Sequence, residues 1–360
     1  MVRPYTTRSP VTLLLDNADV RRVLDMPAAI GALEAAFVDY ARAAAVNRPR
    51  SHTYTDLGGG LHYLLKTMDG SLPRLGVHAL RVTSDLTHER SDNGRRRREK
   101  LPAAPGDRYV GFVLLFDIEK LVPLALVHDG YLQRVRVGAT SALAAGRLAR
   151  SDARVAAVIG AGGQAEMQIK GLREVRELHE VRVWSPRRDA LEAFCMANSG
   201  TPAASAREAI EGADVVALAT NSYDPVLDGE WLEPGQHVGS VQGHELDPRT
   251  LQRASLIVVR SSEEATFHYA PGHAPVAAAE RHRADALVAA RVAELGEVLT
   301  GAAGRQSDDE ITLFTGGGTG ASSGLGIQFA AVAHLVYESA LAAGVGRELP
   351  TEWFTQEEKP

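Results

Sequence analysis

Short apolar runs separated by glycine, proline and aspartate turns mark the first part of the chain as strands. Val11 to Leu15, His62 to Lys66, Leu75 to Val82, Val110 to Phe116 and Val122 to Val127 each have this character. After the first of them, Met26 to Ala45 repeats its apolar residues at helical spacing, with Ile30, Leu33, Phe37 and Tyr40 expected on the buried face. An α+β unit with a strand core is the expectation for this region. The polar stretch Ser84 to Asp107, which contains Arg95-Arg96-Arg97-Arg98, breaks the pattern. It reads as a solvated loop, with a basic patch for an anionic ligand or an acidic partner face as the alternative.

The pattern then changes. An alanine-rich helix over Val137 to Ala149 leads into strand–helix alternation: 155–159 then 164–177, and 181–184 then Asp189 to Ala197. Strands at Val215 to Ala219, 237–241 and 256–260 follow, and a helix over Leu335 to Ala343 comes after the glycine-rich stretch Gly316 to Gly326. The predicted fold class is α/β, a doubly wound parallel sheet joined to the α+β unit. At the head of the alternation, Val155-Ala156-Ala157-Val158-Ile159 runs into Gly160-Ala161-Gly162-Gly163-Gln164-Ala165, a G-x-G-x-x-A dinucleotide fingerprint. Gly160 makes the tight turn and Gly162 admits a pyrophosphate to the backbone N–H groups. Ala165 lets the helix pack on the strand, and the positive helix end faces the anion.

Composition narrows the partners. The formal net charge is -6 with both signs mixed, which leaves no overall nucleic-acid footprint. The single cysteine, Cys195, excludes an intrachain disulfide framework and fits a reducing compartment. No apolar run approaches the ~20 residues of a membrane span, so a cytoplasmic protein with no membrane partner is expected. The twelve histidines include His268, His273 and His282 but form no HExxH, and no metal site is expected. Thr315 to Gly320 lacks the Gly-Lys-Ser/Thr ending of a phosphate loop and reads instead as a passage of the chain beside the dinucleotide pocket.

Several motifs together resemble the ornithine cyclodeaminase/μ-crystallin family. They are Pro49-Arg50, Met68 with Arg81, and Asp129-Gly-Tyr-Leu-Gln-Arg-Val-Arg136-Val-Gly-Ala-Thr-Ser141. The glycine turn, Ala219-Thr220-Asn221-Ser222, Glu245-Leu246-Asp247, Gly296-Glu297-Val298-Leu299, Gly301 and Gly304-Arg305 complete the set. The resemblance implies a substrate-binding and dimerisation domain from 1–136 and 313–360, with a Rossmann domain inserted over 137–312. It also implies a homodimer acting on small α-amino or α-imino acids by cyclodeamination, ketimine reduction or amino-acid dehydrogenation. The matching basic positions, Arg50, Arg81 and Arg136, would hold the substrate carboxylate. Arginine in place of the family's usual lysine at 81 suits bidentate grip and polarisation, not proton shuttling.

The chain departs from the family in the loop Val238 to Glu245, which lacks the cyclodeaminase aspartate. His244 or His78 would have to replace it as acid/base, or each is an ordinary histidine. Glu245 and Asp247 are read as loop anchors. On the cofactor side, the second Rossmann strand ends at Trp184-Ser185, with Arg187 and Arg188 just beyond and no carboxylate at its tip. That favours NADP(H), with NAD(H) the alternative. Thr220, Asn221, Ser222 and Ser240 would line the nicotinamide half, or the first three simply cap a turn. The expected activity is NAD(P)-dependent imine reduction or amino-acid dehydrogenation. A cyclodeaminase with a relocated acid/base and a non-catalytic NADP(H)-binding subunit are the alternatives.

Overall fold

The structure is a computed structural model and describes residues 11–92, 95–222, 224–262, 265–272, 276–279, 290–315 and 324–358. The first part of the chain runs β1 (Val11–Leu15), α1 (Asn17–Val23), α2 (Met26–Ala41), β2 (Val46–Asn47), β3 (Arg50–Gly58) and β4 (Leu61–Leu72). It continues through β5 (Val77–Asp92), β6 (Arg95–Leu101), β7 (Val110–Asp117), β8 (Val122–His128) and α3 (Asp129–Leu148). The alternating part is β9 (Val155–Ile159), α4 (Gly163–Val175), β10 (Glu180–Trp184), α5 (Arg188–Asn198), β11 (Thr201–Pro202), α6 (Ala206–Ile210) and β12 (Val215–Leu218). It goes on with β13 (His237–Ser240), α7 (Pro248–Arg253), β14 (Leu256–Val259), β15 (Ala265–Tyr269), β16 (Val276–Ala279), β17 (Arg291–Glu294), α8 (Leu295–Thr300) and β18 (Thr312–Thr315). The chain closes with α9 (Gly326–Ala343) and β19 (Arg347–Pro350).

Two sheets result. The second has the order β11-β10-β9-β12-β13-β18-β14-β17 with every pairing parallel, the doubly wound α/β arrangement expected. The first has eleven strands on the path β16-β15-β3-β4-β5-β7-β8-β1-β19, with β2 and β6 branching from it. Its inner face is covered by α3 and α9, with α2 packed on both, and Leu33, Phe37, Leu132, Phe329 and Val332 of these helices are fully buried. In α2 the buried face is Met26, Ala29, Leu33, Ala36 and Phe37, while Ile30 and Tyr40 sit at its margin.

Three expectations change. The polar stretch 84–107 is largely not a loop: β5 continues to Asp92 and pairs antiparallel with β6, so the arginine run lies on a strand. The inward residues of β5 beyond Arg81 are polar yet buried (Thr83, Asp85 and Thr87), a pattern that polarity alone misreads as solvated. Lys66 Nζ lies 3.1 Å from Asp85 Oδ2 and Lys100 reaches the other oxygen. Burial would raise the Asp85 carboxyl, but the two ammonium groups hold it below its ordinary value. The unit expected over 137–312 is also less simply bounded. β15 leaves it to pair with β3 of the first sheet and carries β16 at its outer edge, and β18 at Thr312–Thr315 still belongs to the second. Finally, α3 begins at Asp129, well before Val137, because the His128 side chain accepts from Gly130 N and caps the helix. Of the glycine-rich stretch, 316–323 lie outside the described residues, as do His273 and His282.

The second sheet hides one titratable group. His237 on β13 is 1% exposed, its Nδ1 2.9 Å from Thr312 Oγ1. That hydroxyl donates to Leu148 O, so Nδ1 carries the proton and donates to it. Burial first, then the charges of Arg305 and Arg176, bring His237 down to about 3. An unfolded histidine titrates near 6.5, so between these values only the unfolded chain takes the proton. Stability present above pH 6.5 is therefore lost as pH falls, by about 3 kcal/mol at pH 4.5. We expect His237→Asn to lose much less than wild type between pH 7.5 and 4.5 in urea melts. Parallel losses in both proteins would reject this source of acid sensitivity.

Candidate active site

The glycine turn lies where the second sheet reverses its strand order, between β9 and β12. Gly160 has φ +123° and donates to Trp184 O at 2.8 Å; a Cβ there would stand 2.4 Å from Ala219 O. No L side chain fits that turn. Gly162 caps α4 facing open space, Ala161, Gly163 and Gln164 are half-buried, and Ala165 is buried against the strand. Ser185 is buried at the end of β10, with Arg187 and Arg188 exposed at the start of α5.

The loops after β12 and β13 are tied together by Glu245, which is fully buried. One carboxylate oxygen accepts from Thr220 N (2.7 Å) and Thr220 Oγ1 (2.8 Å), the other from Gln242 N (2.9 Å) and Ser240 Oγ (3.0 Å). Burial pushes this carboxyl up while the four donors pull it back. Asp247 caps α7 and accepts from Gly229 N. The anchoring roles are thus observed. Thr220 and Ser240 spend their hydroxyls inside the loops, and Ser222 Oγ donates to Asp224 O. Asn221 is exposed at its tip.

The predicted arginines converge on the inner face of the first sheet. Arg50 pairs in register with Thr266, and Met68 with Arg81, so the spacing of thirteen is the register of the β4–β5 hairpin. Arg81 donates to Asp129 Oδ2 from Nε (3.0 Å) and Nη2 (2.6 Å). From α3, Arg136 is 1% exposed, and its guanidinium and that of Arg81 each stand 4.8 Å from the ring centre of Phe329 on α9. Burial, then the like charges of Arg81 and Arg260, press the Arg136 value well down, against the raising pull of Asp129. Arg260, buried at the end of β14, is a member of the cluster that sequence reasoning missed. Its place follows from the crossover by which the chain leaves the second sheet to lie beside Arg50.

The histidines offered as acid/base fare differently. His78 alternates to the other face of β5 from Arg81 and is bonded to Ser71 Oγ at 2.7 Å, so the strand's two-residue period keeps it out of the cluster. His244 is half-buried in the turn Gly243–Glu245.

The model of the ornithine cyclodeaminase/mu-crystallin family matches residues 11–344. The chain belongs to this family. Among its relatives, the Delta(1)-pyrroline-2-carboxylate reductase of Bacillus cereus is 34% identical over 251 residues, covering 66% of this chain and 74% of that one. The Thermococcus litoralis Delta(1)-pyrroline-2-carboxylate reductase, solved with NADH and L-proline, superposes with a TM-score of 0.72 at 26% identity, covering 94% of this chain and 100% of that one. An archaeal alanine dehydrogenase dimer with bound NAD gives 0.73 at 28% identity, covering 94% and 99%.

Within the family frame a second missed residue stands out. A Cβ on Gly163 would lie 2.8 Å from Arg134 Cζ, so this guanidinium rests against the dinucleotide turn. Arg134 and Arg136 are two apart on α3 and therefore leave the helix on opposite sides. One faces the glycine turn and the other the Phe329 ring. The sequence signal was present as Arg-Val-Arg, but which side each would serve depends on the helix's neighbours.

Among the described residues no group of His, Cys, Asp and Glu could hold a metal, and no helix is long and apolar enough to cross a membrane.

Proposed function

We propose that the protein is an NAD(P)-dependent oxidoreductase that reduces a small 2-imino acid, or oxidises the matching amino acid, at the C=N carbon. The observation that carries this reading is α3 wedged between the glycine turn, touched by Arg134, and the buried cluster around Arg136. Arg50, Arg81 and Arg136 bind the substrate carboxylate. Residues 160–165 with Arg134 receive the diphosphate. Bound nicotinamide cofactor supplies or accepts the hydride. The protein's own contribution is orientation and exclusion of water, which can account for much of the rate. Family relatives solved with NADH and NAD support the cofactor class.

We further propose NADP(H) as the preferred form, because the tip of β10 offers Ser185 and two exposed arginines where an NAD site places a carboxylate. A homodimer in the cytoplasm completes the proposal, in line with the archaeal dimer. Cyclodeamination is disfavoured: the one carboxylate of the loop 238–245, Glu245, is enclosed by four donors and serves as an anchor.

The test follows absorbance at 340 nm with cyclic imines, and with 2-oxo acids plus ammonia or methylamine. Cofactor consumption supports the reading. Ammonia release from a diamino acid without net cofactor change replaces it with cyclodeamination, and cofactor binding with no turnover replaces it with a carrier. In the same assay, Arg187→Ser with Arg188→Ser is expected to raise KM for NADPH roughly 10- to 100-fold and leave NADH within about threefold. Equal effects on both cofactors would remove the preference for NADP(H).

A further inference from the structure

The carboxylate of Asp129 is used on one side only. Asp129 opens α3 and is 5% exposed. Both Arg81 donors, Nε and Nη2, converge on Oδ2. Oδ1 is buried and, among the described residues, accepts no hydrogen bond. A carboxylate whose task is to pin a guanidinium normally takes its two N–H groups on two oxygens, the fork-to-fork pairing that is the stronger arrangement. Leaving a buried charged oxygen open is costly and calls for an explanation in a ligand. The sheet also makes room for it: a Cβ on Gly111 of β7 would stand 3.1 Å from Oδ2 and 3.3 Å from Asp129 Cβ.

We propose that Asp129 is the nitrogen-binding residue of the substrate site. Its Oδ1 accepts the N–H of the imino or ammonium group while Arg81, held on Oδ2, takes the neighbouring carboxylate. This rests on the reading of the protein as an imino-acid reductase. The chemistry follows from the ligand class. In a 2-imino or 2-amino acid the cationic nitrogen and the carboxylate hang from the same carbon, so their complement is an anion beside a cation. The Asp129–Arg81 pair is such a complement, and Arg136, whose guanidinium stands against the same Phe329 ring as that of Arg81, completes the grip on the carboxylate. In the reducing direction, hydride adds to the carbon of the protonated imine, the C=N pair moves to nitrogen, and the resulting amine gains its last proton from water. Asp129 holds the nitrogen hydrogen on Oδ1, away from the carbon under attack. A chain whose loop lacks the family's aspartate thus has a carboxylate for the nitrogen on another element, the first turn of α3.

The test compares Asp129→Asn with wild type in the full-length protein, using pairs of probes that differ only in nitrogen: L-proline against cyclopentanecarboxylate, and L-alanine against propionate. Dissociation constants are measured by calorimetry with cofactor present, so turnover is not needed. Wild type is expected to prefer the amino acid of the pair that fits. The variant, whose amide oxygen can still receive Arg81, should weaken the amino acid at least tenfold and change its nitrogen-free partner by less than threefold. Where an imine is turned over, kcat/KM should fall about a hundredfold. If both members of the pair weaken together, Asp129 only positions Arg81 and the proposal is wrong; no change in either rejects it too. A variant that no longer binds NAD(P)H by fluorescence titration is replaced by Asp129→Ser, judged by the same ratio. If wild type binds none of the amino acids, the reductase reading fails and this proposal falls with it. Selective loss missing from an active enzyme overturns the proposal alone.

Discussion

Arg136→Met is expected to lower kcat/KM for imine reduction roughly 10³-fold, about 4 kcal/mol at 25 °C, while leaving the melting temperature unchanged or higher. The two halves of this expectation come from the same observation. A guanidinium that is 1% exposed has given up water, and Arg81, Arg260 and Arg50 press on it with like charge against the pull of Asp129. The folded chain bears that cost; a methionine of similar length fills the volume without it. In the proposed site a ligand carboxylate would add an opposite charge to this cluster, and a substrate deprived of one buried, charge-assisted partner loses several kcal/mol. Steady-state kinetics alongside a thermal melt checks both parts. A variant that loses activity and stability together would mean that Arg136 is structural. Unchanged activity would remove it from the substrate site.

The second large effect is on folding. Gly326→Ala is expected to destabilise the protein by roughly 4 kcal/mol or more, lowering the melting temperature by about 5 °C or more. A Cβ at Gly326 would stand 1.9 Å from Asp69 O and 2.5 Å from Gly70 N, and one at Gly70 would stand 2.5 Å from Ile327 N. All of these are backbone atoms, so nothing rotates away. The first turn of α9 crosses β4 at this glycine pair, fastened by Gly326 N donating to Asn47 Oδ1 at 2.6 Å. Phe329 lies three residues further on, so displacement of the turn also disturbs the ring against which Arg81 and Arg136 rest. Gly31→Ala on α2, where a Cβ meets nothing within 4 Å, is the control and should stabilise slightly. Equal melting temperatures for Gly326→Ala and wild type would show that the crossing is not as close as described.

Much of this was legible because local chemistry and tertiary structure agree. The Val155–Ile159 run followed by Gly160 identifies the nucleotide turn, since a strand, a positive-φ glycine and a helix are each encoded within ten residues. Arg81 was found through its distance from Met68, which the hairpin register turns into a cross-strand pair. What stayed hidden depends on contacts remote in sequence. Thr83, Asp85 and Thr87 are polar yet buried, with Lys66 and Lys100 meeting Asp85 from neighbouring strands, so the hairpin over 84–101 looked like a loop. Arg260 belongs to the cluster because β15 returns to β3, and no periodicity announces a strand that changes sheets. His78 failed as a candidate for the simplest reason: strand alternation turns it to the opposite face from Arg81.

The position of α3 has a consequence for how new specificities arise in such a scaffold. Arg134 and Arg136 project from opposite sides of one helix, so the two half-sites are held apart by a rigid rod about 10 Å across rather than by a loop. Hydride transfer tolerates little error in the gap between donor and acceptor carbon, and in the proposed site a stiff spacer would set that gap. Residues on the open sheet face, beyond Arg50 and Arg81, can then be exchanged to admit different side chains while the reacting distance stays put. The spacer separates what must be conserved in geometry from what is free to drift in chemistry.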